Sequence, residues 1–196
     1  VLMSATVRSD VLLLTGAGED FSVGREVDSP PEVTHADRMA MIGDVNAMLE
    51  RFEGIVISAI QGRALGFASG LAVQSDIAIA AEGAVFGFDE IRKGFPPLIV
   101  SSYIQDHLLR KHVMDLLLSG RQLSAAEALA MGMVTRLVPD AKVEEAAWQA
   151  VEELRGSNVE ALRRMKVYFE EIQEVPKGER TAYAVRAQEA WFSQNH

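Results

Sequence analysis

Ala59 to Glu90 reads AIQGRALGFASGLAVQSDIAIAAEGAVFGFDE, and the fold turns on this stretch. An apolar run predicts a strand, and glycines around Gly66 predict a turn. A short helix of small residues, a second strand and a loop ending at Glu90 follow. The turn brings backbone N–H groups to a helix N-terminus, and a lone carboxylate comes on the next loop. Fixed donors beside one carboxylate suit chemistry that draws an enolate from a carbonyl compound.

Outward from that stretch, Val11 to Thr15 predicts a buried strand that ends at Gly16-Ala17-Gly18. Residues 34–52 have helical periodicity, with Met39, Ile42, Val45 and Leu49 on one face. Strands are predicted at 55–60, 77–80, 84–88 and 134–138. One long helix is predicted from about Ser101 to Leu118. Ser124 with Glu127 three residues on forms a capping-box pattern for a helix to Met131. From Val143 the chain reads as charged helices broken near Gly156 and Pro176. Early alternation of strands and helices followed by helices alone predicts an α/β core at 1–140 and a helical region at 141–196.

The chain has 196 residues, 48% hydrophobic and 24% charged, which suits a globular protein with a core of its own. A net charge of −9 without a long basic run argues against nucleic acid as a partner. No apolar run reaches the roughly 18–20 residues that span a bilayer, so no membrane partner and a cytoplasmic location are expected. No cysteine is present, which excludes a thiol nucleophile, a disulfide frame and a thiolate metal site.

Two glycine-rich segments fail as nucleotide motifs. From Gly16 the dinucleotide pattern places Phe21 where its last glycine belongs, and Gly24 is followed by Arg25 and Glu26 instead of Lys-Ser/Thr. The four histidines show no helical zinc spacing with glutamate, so no metal is expected. Ser69 in GFASGLA is similar to the nucleophile turn of Clp-type serine proteases. The region from Phe88 to Pro97, where such enzymes carry their histidine, has none, so Ser69 is expected to be a small packing residue. Glu90 lies in FGFDEIRKGF, where Asp89, Arg92 and Lys93 offer the competing reading of a solvated, mutually paired loop.

Four blocks in order carry a resemblance: LLLTGAGEDFSVGRE, the quoted stretch extended through Gly94, LLLSGRQLSAAEALAMGMVTRLVP, and the C-terminal helices. From about Val11 onward the chain resembles the enoyl-CoA hydratase/isomerase, or crotonase, family. The resemblance implies a crotonase-like spiral of ββα units with a helical C-terminal region that makes a homotrimer or a dimer of trimers. It implies acyl-CoA substrates, with coenzyme A as part of the substrate and no other cofactor.

By the same resemblance, two backbone N–H groups form an oxyanion hole. One belongs to Arg25, after the loop glycine Gly24, and the other to Phe67, the middle of Gly66-Phe67-Ala68. Val23, Gly24, Glu26, Val27, Asp28 and Gly66 are the implied substrate-binding residues, and Lys166 is a basic residue of the trimer-contact helices. The family's hydratases carry two glutamates. The second falls on Glu90 as the catalytic residue, whereas the first falls on Gly70. The aspartate that dienoyl-CoA isomerases add falls on Leu98, and the loop aspartate on Glu26. Family residues that precede the first strand are missing, which implies a truncated or partial chain. Isomerisation by Glu90 alone is the expected reaction, hydration despite Gly70 the runner-up, and a non-catalytic CoA-ester-binding subunit the alternative of another class.

Overall fold

The computed structural model describes residues 3–8, 10–24 and 34–195. Strands β1 (Met3–Arg8) and β2 (Val11–Gly16) pair antiparallel. After helix α1 (His35–Glu50) come β3 (Ile55–Ile60), β4 (Arg63–Leu65), α2 (Phe67–Gln74), β5 (Ile77–Ala81) and β6 (Val85–Gly87). Helices α3 (Leu98–His107) and α4 (Arg110–Ser119) follow, then β7 (Gln122–Ser124), α5 (Ala125–Met131) and β8 (Arg136–Val138). Three helices end the chain: α6 (Val143–Arg155), α7 (Val159–Glu174) and α8 (Arg180–Asn195).

The main sheet has the order β1-β2-β3-β5-β8, with every pair after the first parallel. A smaller sheet has the order β4-β6-β7. Three times the chain steps from a main-sheet strand to the small layer and on to a helix. These passages are β2 to Ser22, bridged in parallel to Ala64, to α1; then β3 to β4 to α2; then β5 to β6 to α3. This is the expected spiral of ββα units.

β3 is apolar but for Ser58 because parallel strands are covered on both faces: Val56, Ile57, Ser58, Ala59 and Ile60 are all buried. β5 is alanine-rich, and α6 packs on β3 and β5 through its buried Ala147, Ala150 and Val151. Phe86 and Phe88 are fully buried on the segment leading to Glu90. At ~1.5–3 kcal/mol for each buried large apolar side chain, they anchor that segment firmly.

Where the elements differ from expectation, tertiary contacts explain it. The expected helix at 101–118 is two helices, because Leu108 and Leu109 adopt extended backbone. Leu108 is buried there, and its N–H still bonds to Ile104 O, so core packing breaks a run that holds neither Gly nor Pro. On α1, Asn46 turns inward and Val45 outward, since Asn46 Oδ1 accepts from Gln74 Nε2 on α2 at 3.0 Å. The three-residue strands β4 and β7 are too short to show a period of two, and β1 lies outside the expected strands. The capping box at Ser124 and Glu127 is present, as is one at Thr34 and Asp37.

The chain divides into two compact units, 1–156 and 157–196. The core thus runs past residue 140 to Gly156, because α6 closes the main sheet. In the second unit, Tyr183 Oη donates to Glu171 Oε2 at 2.8 Å, and Arg164 holds the same carboxylate at 2.9 Å. Tyr168 and Tyr183 stack with ring centroids 6.0 Å apart. Among the described residues no helix is long and apolar enough to cross a membrane, and no group of three or more His, Asp or Glu is placed to hold a metal.

Candidate active site

The site forms where α2 leaves the small sheet. Gly66 has φ 60° and ψ −125°, a conformation only glycine adopts without strain, and it sets Phe67 as the first helical residue. The Gly66 N–H donates to Gly87 O at 2.7 Å, which ties the helix start to β6. Ser69 locks the same junction. Its fully buried hydroxyl donates to Ala64 O at 2.6 Å and accepts from the Gly87 N–H at 3.0 Å. The expected packing residue is thus also a hydrogen-bonding clamp, and its hydroxyl is committed to backbone. The N–H of Phe67 belongs to the first turn of α2, where N–H groups have no partner within the helix and the dipole favours negative charge.

Glu90 sits directly in front of this helix start. A Cβ added at Gly66 would lie 3.1 Å from Glu90 Oε1, so the carboxyl occupies the space beside the turn that glycine leaves open. The paired-loop reading fails for this residue alone. Lys93 Nζ pairs with Asp89 at 2.8 Å, and Arg92 Nε donates to Ser119 O at 2.9 Å. Glu90 makes no ion pair among the described residues, and its Oε2 is buried without a hydrogen-bond partner. Burial pushes its pKa above the usual carboxylate value, a backbone hydrogen bond opposes the shift, and the neighbouring Asp89 charge adds to it. A half-buried carboxyl with a raised pKa and an open oxygen can take a proton and return it.

Tyr103 is the residue that the sequence did not single out. It lies on α3, is 5% exposed, and its hydroxyl rests against Gly70. A Cβ at position 70 would overlap Tyr103 Oη outright and lie 3.1 Å from its Cζ. Position 70 is glycine here because the space its side chain would take is already filled. The two residues are far apart in sequence, and nothing local to either signals the contact. Gly70→Ala is therefore expected to destabilise the fold by about 1–3 kcal/mol through overpacking. Tyr103→Phe should recover part of that loss, with a coupling of about 0.5–3 kcal/mol in denaturant unfolding of the four proteins. Strictly additive losses would show that the contact is not the cause.

Of the other expected site residues, Val23 is exposed and Gly24 has φ 89°. The bridge from Ser22 to Ala64 brings this loop beside β4, where a Cβ on Gly24 would lie 3.3 Å from Leu65 O. Gly24 thus runs alongside the residue preceding Gly66. Arg25, Glu26, Val27 and Asp28 lie outside the described residues. Leu98 opens α3 and is 69% exposed.

The enoyl-CoA hydratase/isomerase family model matches residues 5–196. The chain belongs to this family. A Mycobacterium tuberculosis protein named probable enoyl-CoA hydratase is 32% identical over 161 residues, covering 74% of this chain and 55% of that protein. The hydroxycinnamoyl-CoA hydratase-lyase of Pseudomonas fluorescens is 29% identical over 174 residues, covering 84% and 63%. The chain therefore spans between about half and two thirds of these curated relatives. Among solved structures, an enoyl-CoA hydratase/isomerase family protein from Silicibacter pomeroyi superposes with a TM-score of 0.85 at 19% identity, over 98% of this chain and 99% of that one. An enoyl-CoA hydratase from Mycobacterium smegmatis gives 0.82 at 18% identity, over 97% and 90%. At these identities the structural matches speak for the crotonase fold.

Proposed function

We propose that this chain acts on an acyl-CoA thioester, with Glu90 as its single acid/base, and shifts a carbon–carbon double bond from position 3 to position 2. The observation that carries the reading is the Glu90 carboxyl, its Oε2 buried without a partner, set beside the Gly66 turn at the start of α2. The thioester oxygen takes hydrogen bonds from the N–H groups of Phe67 and Arg25. Glu90 removes a proton from C2, negative charge collects on the carbonyl oxygen, and Glu90 returns the proton to C4. One carboxyl suffices because the two proton transfers occur in sequence. The reading requires no cofactor beyond the coenzyme A that the substrate carries, and a non-catalytic binding role would leave a buried, unpaired acid without a purpose.

Turnover of a 3-enoyl-CoA ester by the wild type and by Glu90→Gln tests the reading. Conversion by the wild type and its loss in the variant support it; conversion that survives in Glu90→Gln sinks it.

The same reading includes self-assembly through the 157–196 unit. Neither α7 nor α8 buries any residue within one chain. Met165, Phe169, Val185 and Phe192 are each more than half exposed there, apolar side chains on two helices that further copies would cover. Sedimentation at micromolar concentration should give three or six chains per particle. A monomer would remove this part of the reading.

A further inference from the structure

β4 is only three residues long, and the Gly66 turn that presents the Phe67 N–H hangs from its end. A strand that short holds its place through its neighbours. On one side β6 pairs with it in parallel. On the other side residues 20–22 lie along it as a strap. The Phe21 N–H donates to Gln61 O at 2.8 Å, the Ser22 N–H to Arg63 O at 3.0 Å, and the Leu65 N–H to Ser22 O at 2.9 Å. The last of these bonds is one residue away from Gly66. The β6 side is secured again by Ser69 and by the Gly66 N–H on Gly87 O. The strap side has a lock of its own.

That lock is Asp20. Its Oδ1 accepts from the Arg63 N–H at 2.8 Å and from Arg63 Nε at 3.0 Å, and its Oδ2 accepts from Arg63 Nη2 at 2.6 Å. Such a fork fixes direction as well as distance. Gly62, at φ 56°, makes room for it, since a Cβ there would lie 2.8 Å from Asp20 Oδ1. Phe21, next to Asp20, is fully buried and anchors the strap in the core. The Asp20 and Arg63 side chains are 26% and 56% exposed, and an ion pair open to water adds little to global stability. What the pair supplies is geometry.

We propose that Asp20 and Arg63 are positioning residues for the oxyanion donor: their fork sets the register of the strap on β4, and thereby the place of the Phe67 N–H beside Glu90. The inference rests on the reading of Phe67 and Glu90 given above. Charge collects on the thioester oxygen only as C2 loses its proton. A displaced donor therefore weakens the transition state more than the bound ester. The pair touches no reacting atom and moves no proton. The Arg63 side chain above all, and its backbone N–H after it, hold the Asp20 pKa below its usual value, whereas that of Glu90 is raised. The fork is thus charged at every pH at which Glu90 is ionised.

The test measures conversion of a 3-enoyl-CoA ester by Asp20→Asn and by Arg63→Lys, each in the wild type, in Phe67→Ala and in Phe67→Pro. Asparagine keeps the shape without the charge, and lysine keeps the charge without the fork. In the wild type and in Phe67→Ala either change should lower kcat about 10–100-fold, the cost of a misplacement near 1 Å. KM should stay within a few fold. In Phe67→Pro, which has no N–H left to place, the same changes should cost less than about threefold. Equal losses in all three backgrounds mark a merely structural pair and overturn the proposal. So does a loss confined to KM, or a kcat that neither change moves. If Asp20→Asn does not fold, Arg63→Lys carries the test alone. Equal rates for Phe67→Ala and Phe67→Pro also overturn this inference, and leave the Glu90 reading standing. A wild type that converts no 3-enoyl-CoA ester removes both.

Discussion

Glu90→Gln is expected to lower kcat on a 3-enoyl-CoA ester by about 10²–10⁴-fold, the range for a positioned acid–base group, while the ester still binds. The same variant should resist unfolding better than the wild type at neutral pH. Both effects have one origin. The fold buries the Glu90 carboxyl beside Gly66 and gives Oε2 no partner, so its charged form is disfavoured and its pKa lies above the ordinary 4.5. Between that value and the raised one, the native state binds more protons than the unfolded state. Stability from this group is therefore fully present below about pH 4.5, falls as pH rises through the window, and stays lower above it. Glutamine has the same shape and no charge to desolvate. The advantage of the variant should appear on the alkaline side of the window and vanish on the acid side. Thermal unfolding at pH 4 and pH 8 checks this, and a variant less stable than wild type at pH 8 contradicts the account. The wild-type kcat/KM should rise with pH along an acid limb displaced upward from an ordinary carboxylate, because the ionised form is the base.

Phe67→Pro should reduce kcat about 10²–10³-fold relative to Phe67→Ala, the usual loss for removing one oxyanion donor. Phe67 is the first residue of α2, a position that accepts proline because its N–H has no intrahelical partner. The substitution deletes the donor and keeps the helix. The Phe67 side chain packs on the core, so alanine is the proper reference: both variants lose the ring and only proline loses the N–H. Equal rates for the two would mean that charge develops away from this N–H. A drop confined to KM would mean that the group binds substrate and transition state alike.

The fold was largely legible because its signals are local. The apolar runs at 55–60 and 77–80 read as buried strands, the glycine at 66 as a turn, and Ser124 with Glu127 as a cap. The three-residue strands β4 and β7 carry no period of two, and the break at Leu108 carries no breaker residue. Both are fixed by neighbours that the local pattern does not contain. Glu90 could be named from sequence, but its isolation could not. Its neighbours Asp89, Arg92 and Lys93 looked like its partners until the fold gave Asp89 to Lys93 and sent Arg92 to the Ser119 carbonyl.

The sequence by itself determined the family, the spiral of strands and helices, the helix start at Phe67 and the acid at Glu90. The helix start and the acid depend on residue types at short spacing, which the backbone converts directly into geometry. The family and its spiral rest instead on the resemblance carried by four blocks of sequence. Only the tertiary structure decided that α3 lays Tyr103 across Gly70, that Gln74 turns its amide nitrogen to Asn46, and that Glu90 Oε2 is left without a partner. These follow from how helices distant in sequence pack, where the absence of one Cβ at Gly70 admits a phenol that no spacing rule announces.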